Sequence, residues 1–221
     1  MNRTFAIGDV HGCYATFKEL LLGIIKITKG DTVYCLGDLI DRGPESKGVV
    51  DFILELRKEG YGIESLKGNH EQMMIESVED EQKLELWKRN GGVATLKSFD
   101  VESYDNFPMV YKNFFNDMIL YHIIDDFILV HAGLNMNRFD IFEDKKAMLW
   151  IKDFYIDKDK LHGKKLVHGH NPKSLDYILS QEESSVINID GGCVYNYENK
   201  RGTLIALNLN DNKLIFQTNI E

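Results

Sequence analysis

The chain has little cysteine, no basic run and no long apolar stretch, and each absence removes a class of protein. Its three cysteines, Cys13, Cys35 and Cys193, are an odd count in 221 residues, which argues against a disulfide framework. No CxxC pair occurs, so a thiolate zinc site is not expected. Lysine and arginine number 26 against 35 aspartates and glutamates, a net charge of −9. With no basic run, nucleic acid is not expected as a partner. An anionic substrate must then be drawn by local positive charge, from metal ions or arginine. No apolar stretch is long enough to span a bilayer, so no membrane partner is expected. Met1-Asn2-Arg3-Thr4 enters a strand almost at once without an apolar signal region, and the expected location is cytoplasmic. There is no internal repeat, linker or low-complexity stretch. The apolar content of 43% supports one full core, and a single domain over 1–221 is expected.

What is present is a strand-then-ligand pattern, repeated three times. Phe5-Ala6-Ile7 leads into Gly8-Asp9-Val10-His11-Gly12. Thr32-Val33-Tyr34-Cys35-Leu36 leads into Gly37-Asp38-Leu39-Ile40-Asp41-Arg42-Gly43, around which the chain is organised. Ile63-Glu64-Ser65-Leu66 leads into Gly68-Asn69-His70-Glu71. The short apolar runs read as buried strands, and the carboxyl ends of such strands are where open α/β sheets bind ligands. Phe17, Leu20, Leu21, Ile24 and Ile25 make one helical stripe, and Val49, Val50, Ile53, Leu54 and Leu56 a second. The order is β-α-β-α-β, with parallel strands and right-handed crossovers. Residues 71–116 carry few strand signals and read as a mainly helical insertion. Strands return at 118–123, 127–130, 186–189, 203–207 and 214–217, with Asn210-Asp211-Asn212 as a hairpin turn. The predicted fold class is α/β, a central two-sheet sandwich of mixed strands flanked by helices.

The loop residues of metal-binding type are Asp9, His11, Asp38, Asn69, His131 and His170. All are carboxylate, amide or imidazole, a set suited to manganese, iron or zinc. Six ligands are too many for one catalytic ion that keeps open positions for water, and about right for two ions sharing a carboxylate. Two ions roughly 3.5–4 Å apart can clamp the attacking and leaving oxygens of an in-line displacement and give hydroxide at neutral pH. Phosphate-ester hydrolysis needs this, together with a cation on the phosphoryl oxygens and an acid for the leaving group. Arg42 offers a fork of donors, and His70 can supply the proton with Asp41 as its orienting carboxylate.

These loops, with His131-Ala132-Gly133 and Gly169-His170, resemble the motifs of the phosphoprotein phosphatase (calcineurin-like metallophosphoesterase) family in order and spacing. The resemblance runs on through Asn90-Gly91-Gly92, Leu149-Trp150 and Ile189-Asp190-Gly191-Gly192. It implies Asp9, His11 and Asp38 as ligands of a first ion. Asp38, Asn69, His131 and His170 would hold a second, with Asp38 bridging. It implies His70 as general acid held by Asp41, and Arg42 on the phosphate. Manganese is the expected metal, with iron or zinc also suited. The expected activity is direct attack of metal-bound hydroxide on phosphoserine or phosphothreonine in proteins, with phosphotyrosine or another small phosphoester also accepted. The alternative within the family is a symmetrical bis(5'-nucleosyl)-tetraphosphatase. Glu71 leans away from it, because tetraphosphatases tend to carry aspartate there. A decayed, inactive scaffold is the third reading, against which the intact ligand set speaks.

Two positions depart from the family pattern. Lys67 and Lys152 stand where arginine is usual, and lysine loses the bidentate fork while keeping the charge. Both are expected at the substrate. His168 reads as a strand residue, His122 and His162 as ordinary positions, and Cys13 and Cys35 as buried packing residues. Tyr195 and Tyr197 are candidates for the groove. Nothing in the sequence sets an oligomeric state.

Overall fold

The computed structural model describes residues 2–181, 184–195 and 202–221. Strands β1 (Thr4–Ile7), β2 (Thr32–Cys35) and β3 (Gly62–Ser65) pair in parallel. β8 (Thr203–Asn208) runs antiparallel to β1, and β9 (Lys213–Thr218) antiparallel to β8. The first sheet has the order β3-β2-β1-β8-β9. The second has the order β4-β5-β6-β7, built from β4 (Tyr121–Ile124), β5 (Phe127–Val130), β6 (Lys165–His168) and β7 (Val186–Asn188). There β4 and β5 form a hairpin over Asp125-Asp126, and β5, β6 and β7 are parallel. This is the predicted two-sheet architecture of mixed strands.

The period-2 alternation of each strand decides which layer its side chains enter. Ala6, Leu36, Ile205 and Leu207 of the first sheet meet Phe127, Leu129, Val167 and Ile187 of the second, which makes the sandwich centre. Phe5, Ile7, Val33, Cys35, Ile63, Leu204 and Ala206 point the other way, into the helical layer. Ile128, Val130 and Leu166 face a smaller outer core with Leu134, Met136, Ile141, Met148 and Leu161.

Helix α1 (Tyr14–Lys18) continues in wider π-type turns through Glu19–Ile25, and α2 is Ser46–Glu59. After β3 come α3 (Asn69–Glu76), α4 (Glu81–Trp87), a π-type turn (Lys88–Gly92), α5 (Val93–Phe99) and α6 (Met109–Asn116). Met73, Met74, Trp87, Leu96, Phe99, Phe114 and Phe115 from this block complete the core on the outer face of the first sheet. Two further short helices are α7 (Lys145–Trp150) and α8 (Leu175–Leu179). Met118 and Ile119 lie outside β4, although apolar: Ile119 instead forms an isolated parallel bridge with Leu66. Cys13, Cys35 and Cys193 are all buried. No helix among the described residues is long and apolar enough to cross a membrane.

Candidate metal centre and active site

The two sheets present the ends of β1, β2, β3, β5 and β6 to one place. The carbonyl of Asp38 accepts the N–H groups of Val10 (3.1 Å) and His11 (2.8 Å), joining the first two loops. The His170 N–H reaches the Asp9 carboxylate at 3.1 and 3.3 Å, and the Gly169 N–H donates to the His131 carbonyl at 2.8 Å. The backbone is forced to fit. His11, Asp38, Asp41, Arg42 and His170 all have positive φ, between 46° and 72°. Such backbone costs on the order of 1–3 kcal/mol per residue and persists where surrounding structure over-determines it. Gly68 is required for a different reason: a Cβ there would lie 2.1 Å from Asp38 Oδ1.

Two groups of donors are tight enough for an ion, His11 with Asp38 and His70, and Asp38 with His131 and His170. Asp38 belongs to both. Asn69 joins the second group, its Oδ1 lying 3.0 Å from His131 Nε2 and 2.9 Å from His170 Nδ1. Asp9 adjoins through its bonds to the His170 N–H. The tautomers suit a cation. His11 Nδ1 donates to the Ile40 carbonyl at 2.9 Å and His131 Nδ1 to the Leu36 carbonyl at 3.0 Å. Each therefore turns an Nε2 lone pair inward, the arrangement that carbonyl-anchored metal ligands use. His131 Nε2 then faces Asn69 Oδ1 at 3.0 Å and Asp38 Oδ1 at 3.4 Å as an acceptor among acceptors. His170 Nε2 is buried with no hydrogen-bond partner among the described residues. Burial, reinforced by Asp190 and Asp38, pushes the Asp9 carboxyl well up. Burial pulls His11 well down and His170 down to about 3, so both imidazoles are neutral, the form that binds metal. Converging lone pairs and crowded carboxylates in a buried site fit divalent ions of unspecified identity.

Beside these donors stands a second arrangement. His70 Nδ1 donates to Asp41 Oδ2 at 2.6 Å. Burial opposes charge on His70, but Asp38 and Asp41 outweigh it and its pKa is raised. Arg42 spans the mouth, Nη1 donating to His11 Nε2 at 2.6 Å and Nη2 to His70 Nε2 at 2.9 Å. Asp41 is fully buried. Besides His70, its carboxylate accepts Thr95 Oγ1–H at 2.6 Å and Trp87 Nε1–H at 3.0 and 3.1 Å. Its own N–H donates to Thr95 Oγ1 and Ser46 Oγ. No motif marks Trp87 or Thr95, which lie 46 and 54 residues from Asp41. A helical face is the one signal either carries.

A pocket of about 190 Å³ covers the centre, lined by Arg42, His70, Lys152, His170, Trp150 and Tyr195 among others. Lys67 is not in that lining; burial pulls its pKa down, and its backbone N–H bonds the Ile119 carbonyl at 2.7 Å. Tyr197 lies outside the described residues. His168 ends β6, His122 stacks on Tyr34 with centroids 4.9 Å apart, and neither reaches the centre. Glu71 is fully buried and clamps the loop, accepting the N–H groups of Leu39 (2.8 Å), Asp38 (2.9 Å) and Gly68 (2.9 Å). Glu71 thus holds the loop and is not among the residues that line the pocket.

The calcineurin-like phosphoesterase profile matches residues 3–206. The chain belongs to that family. Over 91 residues the chain is 36% identical to serine/threonine-protein phosphatase 1 of Salmonella typhimurium, covering 41% of this chain and 39% of the relative. Over 134 residues it is 30% identical to the symmetrical bis(5'-nucleosyl)-tetraphosphatase of Nitrosomonas europaea, covering 61% and 46%. The chain thus matches less than half the length of either relative. Its fold is similar over its whole length to a protein serine/threonine phosphatase from Saccharomyces cerevisiae, with a TM-score of 0.66, 15% identity and 80% of that chain covered. A metallophosphoesterase from Sphaerobacter thermophilus gives 0.58, 15% and 88%.

Proposed function

We propose that this phosphoesterase uses two divalent ions to hydrolyse a phosphoric ester or anhydride, and that its substrate is a symmetrical dinucleoside tetraphosphate. The observation that carries the reaction class is Asp38 shared between His11 and His70 on one side and His131 and His170 on the other, with His70 also bonded to Asp41. The substrate reading rests on the relatives. Symmetrical tetraphosphatases recur among them, in Nitrosomonas europaea, Proteus mirabilis and Buchnera aphidicola. Glu71 as a motif residue leans the other way, and the recurrence of tetraphosphatases among the relatives outweighs it. Protein phosphoserine or phosphothreonine is the second reading, favoured by the 36% identity to the Salmonella phosphatase.

Asp9, His11 and Asp38 would hold one ion, and Asp38, Asn69, His131 and His170 the other. Ions bound there would activate a water and polarise the phosphoryl oxygens. The chain supplies the rest. Arg42 releases His11 and His70 and turns its fork to two phosphoryl oxygens. With Arg42 gone from His70 Nε2, that nitrogen takes the proton that the leaving oxygen needs. Asp41, bonded at Nδ1, stabilises the charged ring and fixes its direction. His70 Nε2 also lies 3.8 Å from Asp38 Oδ2, so the acid stands at the edge of the ligand group. Lys152 adds charge at the pocket mouth.

The test is hydrolysis with manganese of diadenosine tetraphosphate, a phosphothreonine peptide and a phosphotyrosine peptide, with His70→Asn as control. Preferential conversion of the dinucleotide to two nucleoside diphosphates, lost in the variant, is the expected result. Preference for the phosphothreonine peptide moves the assignment to protein phosphatase. No turnover of any substrate, in protein that also takes up no manganese, refutes both.

A further inference from the structure

Across the loop 170–173 from the candidate centre lies a second pocket, of about 340 Å³. The loop is a partition. His170 and Pro172 line the metal-side pocket, while Asn171 and Lys173 line the second. The chain turns tightly at His170, where the Asn171 N–H bonds back to the Gly169 carbonyl at 2.8 Å, and its side chains part to the two sides. Lys152 lines both chambers and so marks where they join.

The wall of the second pocket is preformed. Asn188 Nδ2 donates to the Asn171 carbonyl at 3.0 Å. Gln181 holds the Asn188 backbone from both sides, Nε2 donating to its carbonyl at 2.9 Å and Oε1 accepting its N–H at 3.0 Å. These amides are consumed within the wall. The ammonium groups of Lys152 and Lys173 and the rings of Phe154 and Tyr177 are among the groups left to a ligand. Tyr177 is 50% exposed, and Lys173 Nζ sits 5.8 Å from its ring centroid. Among the described lining residues Asp153 is the carboxylate, against two ammonium groups.

We propose that this pocket is a second subsite, which receives the distal phosphate and nucleoside of a nucleoside diphosphate arm whose other phosphate sits at the metal centre. The proposal deepens the tetraphosphate reading and rests on it. A phosphate suits the two ammonium groups as point charges. A nucleobase offers a π-face to Tyr177 or Phe154, a contact that tolerates any base. The volume lies in the range of ordinary ligand pockets, about 300–1,000 Å³. A phosphoserine side chain would leave the chamber empty, so the subsite favours oligophosphates over monoesters.

Binding tests this apart from turnover. On manganese-loaded protein, the affinities for ADP and for inorganic phosphate are measured by calorimetry, phosphate filling the metal side alone. Lys173→Gln and Tyr177→Ala are each expected to lower the ADP-to-phosphate affinity ratio about tenfold, the factor for a contact of about 1.4 kcal/mol. The ratio of kcat/KM for diadenosine tetraphosphate over p-nitrophenyl phosphate should fall by a similar factor. An unchanged ADP-to-phosphate ratio in both variants overturns the subsite. Tyr177 is half exposed, so its variant serves if Lys173→Gln does not fold. If the wild type hydrolyses p-nitrophenyl phosphate and not the tetraphosphate, the substrate reading fails alone, and the binding ratio still decides the subsite.

Discussion

Trp87→Phe removes the indole N–H, and part of the ring's volume, from beside the buried carboxylate bonded to His70. The indole N–H is shared between the two oxygens of Asp41, at 3.0 and 3.1 Å, in a site with no access to water. A hydrogen bond to a charged group contributes about 1.5–3 kcal/mol. Thr95 Oγ1 and His70 Nδ1 stay on the carboxylate, both at 2.6 Å, so the lower end applies. If that loss is expressed when His70 becomes charged, about 1.4 kcal/mol lowers the rate about tenfold. The loss must depend on the leaving group. In the proposed mechanism an alkyl phosphate would need the proton from His70, whereas p-nitrophenolate leaves with little help. The assay is therefore kcat for both ester types, with wild type and variant loaded with manganese. The expected result is about a tenfold fall in kcat for the alkyl ester and a much smaller fall for the nitrophenyl ester, with KM little changed. An equal fall for both esters, or none, refutes the positioning role. A lowered Tm alone would mark Trp87 as a packing residue, because it is also fully buried in the core.

Further expectations follow from the same geometry. Glu71→Gln sets an amide N–H₂ against the backbone N–H groups of Asp38, Leu39 and Gly68; a stability loss of about 2–3 kcal/mol is expected by denaturant titration. Glu71→Asp should lower stability without exchanging substrate preference, and a switch in preference would restore Glu71 as a specificity residue. Asp31 is held well below the ordinary carboxylate range, chiefly by Arg3 at 2.7 Å. A depressed pKa gives stability that is full at neutral pH and is lost as pH falls below about 4. The Tm gap between wild type and Asp31→Asn should therefore narrow on acidification, and a constant gap would contradict the pairing. Lys152→Arg should lower KM for phosphate esters through the restored fork, and unchanged kinetics would remove Lys152 from the phosphate. Manganese at about 100 times its Kd should raise stability by about 2.7 kcal/mol if it binds only the folded chain, a shift that His131→Ala should abolish.

The loops Asp9 to Gly12, Asp38 to Gly43 and Asn69-His70 were legible without the fold, because each follows a short apolar run that could hardly be anything but a buried strand. The parallel β-α-β-α-β start was legible for the same reason: period-2 and period-3.6 patterns alternate over residues 4–65. The strand ends were less so. Ile119 is apolar and yet lies outside β4, because its partner is Leu66 rather than the next strand.

What the sequence by itself determined was local: which residues carry ligand atoms, which segments bury one face, and that the set lacks thiolate. The tertiary structure alone decided how those residues are held. Trp87 and Thr95 reach Asp41 across 46 and 54 residues, Glu71 clamps the loop of Asp38 and Leu39, and Lys67 lies outside the pocket lining while Lys152 is in it. Periodicity reports only whether a side chain is buried. Its partner, and so the direction of its hydrogen bond, is set by how two sheets and a helical layer pack, and no short stretch of chain contains that information.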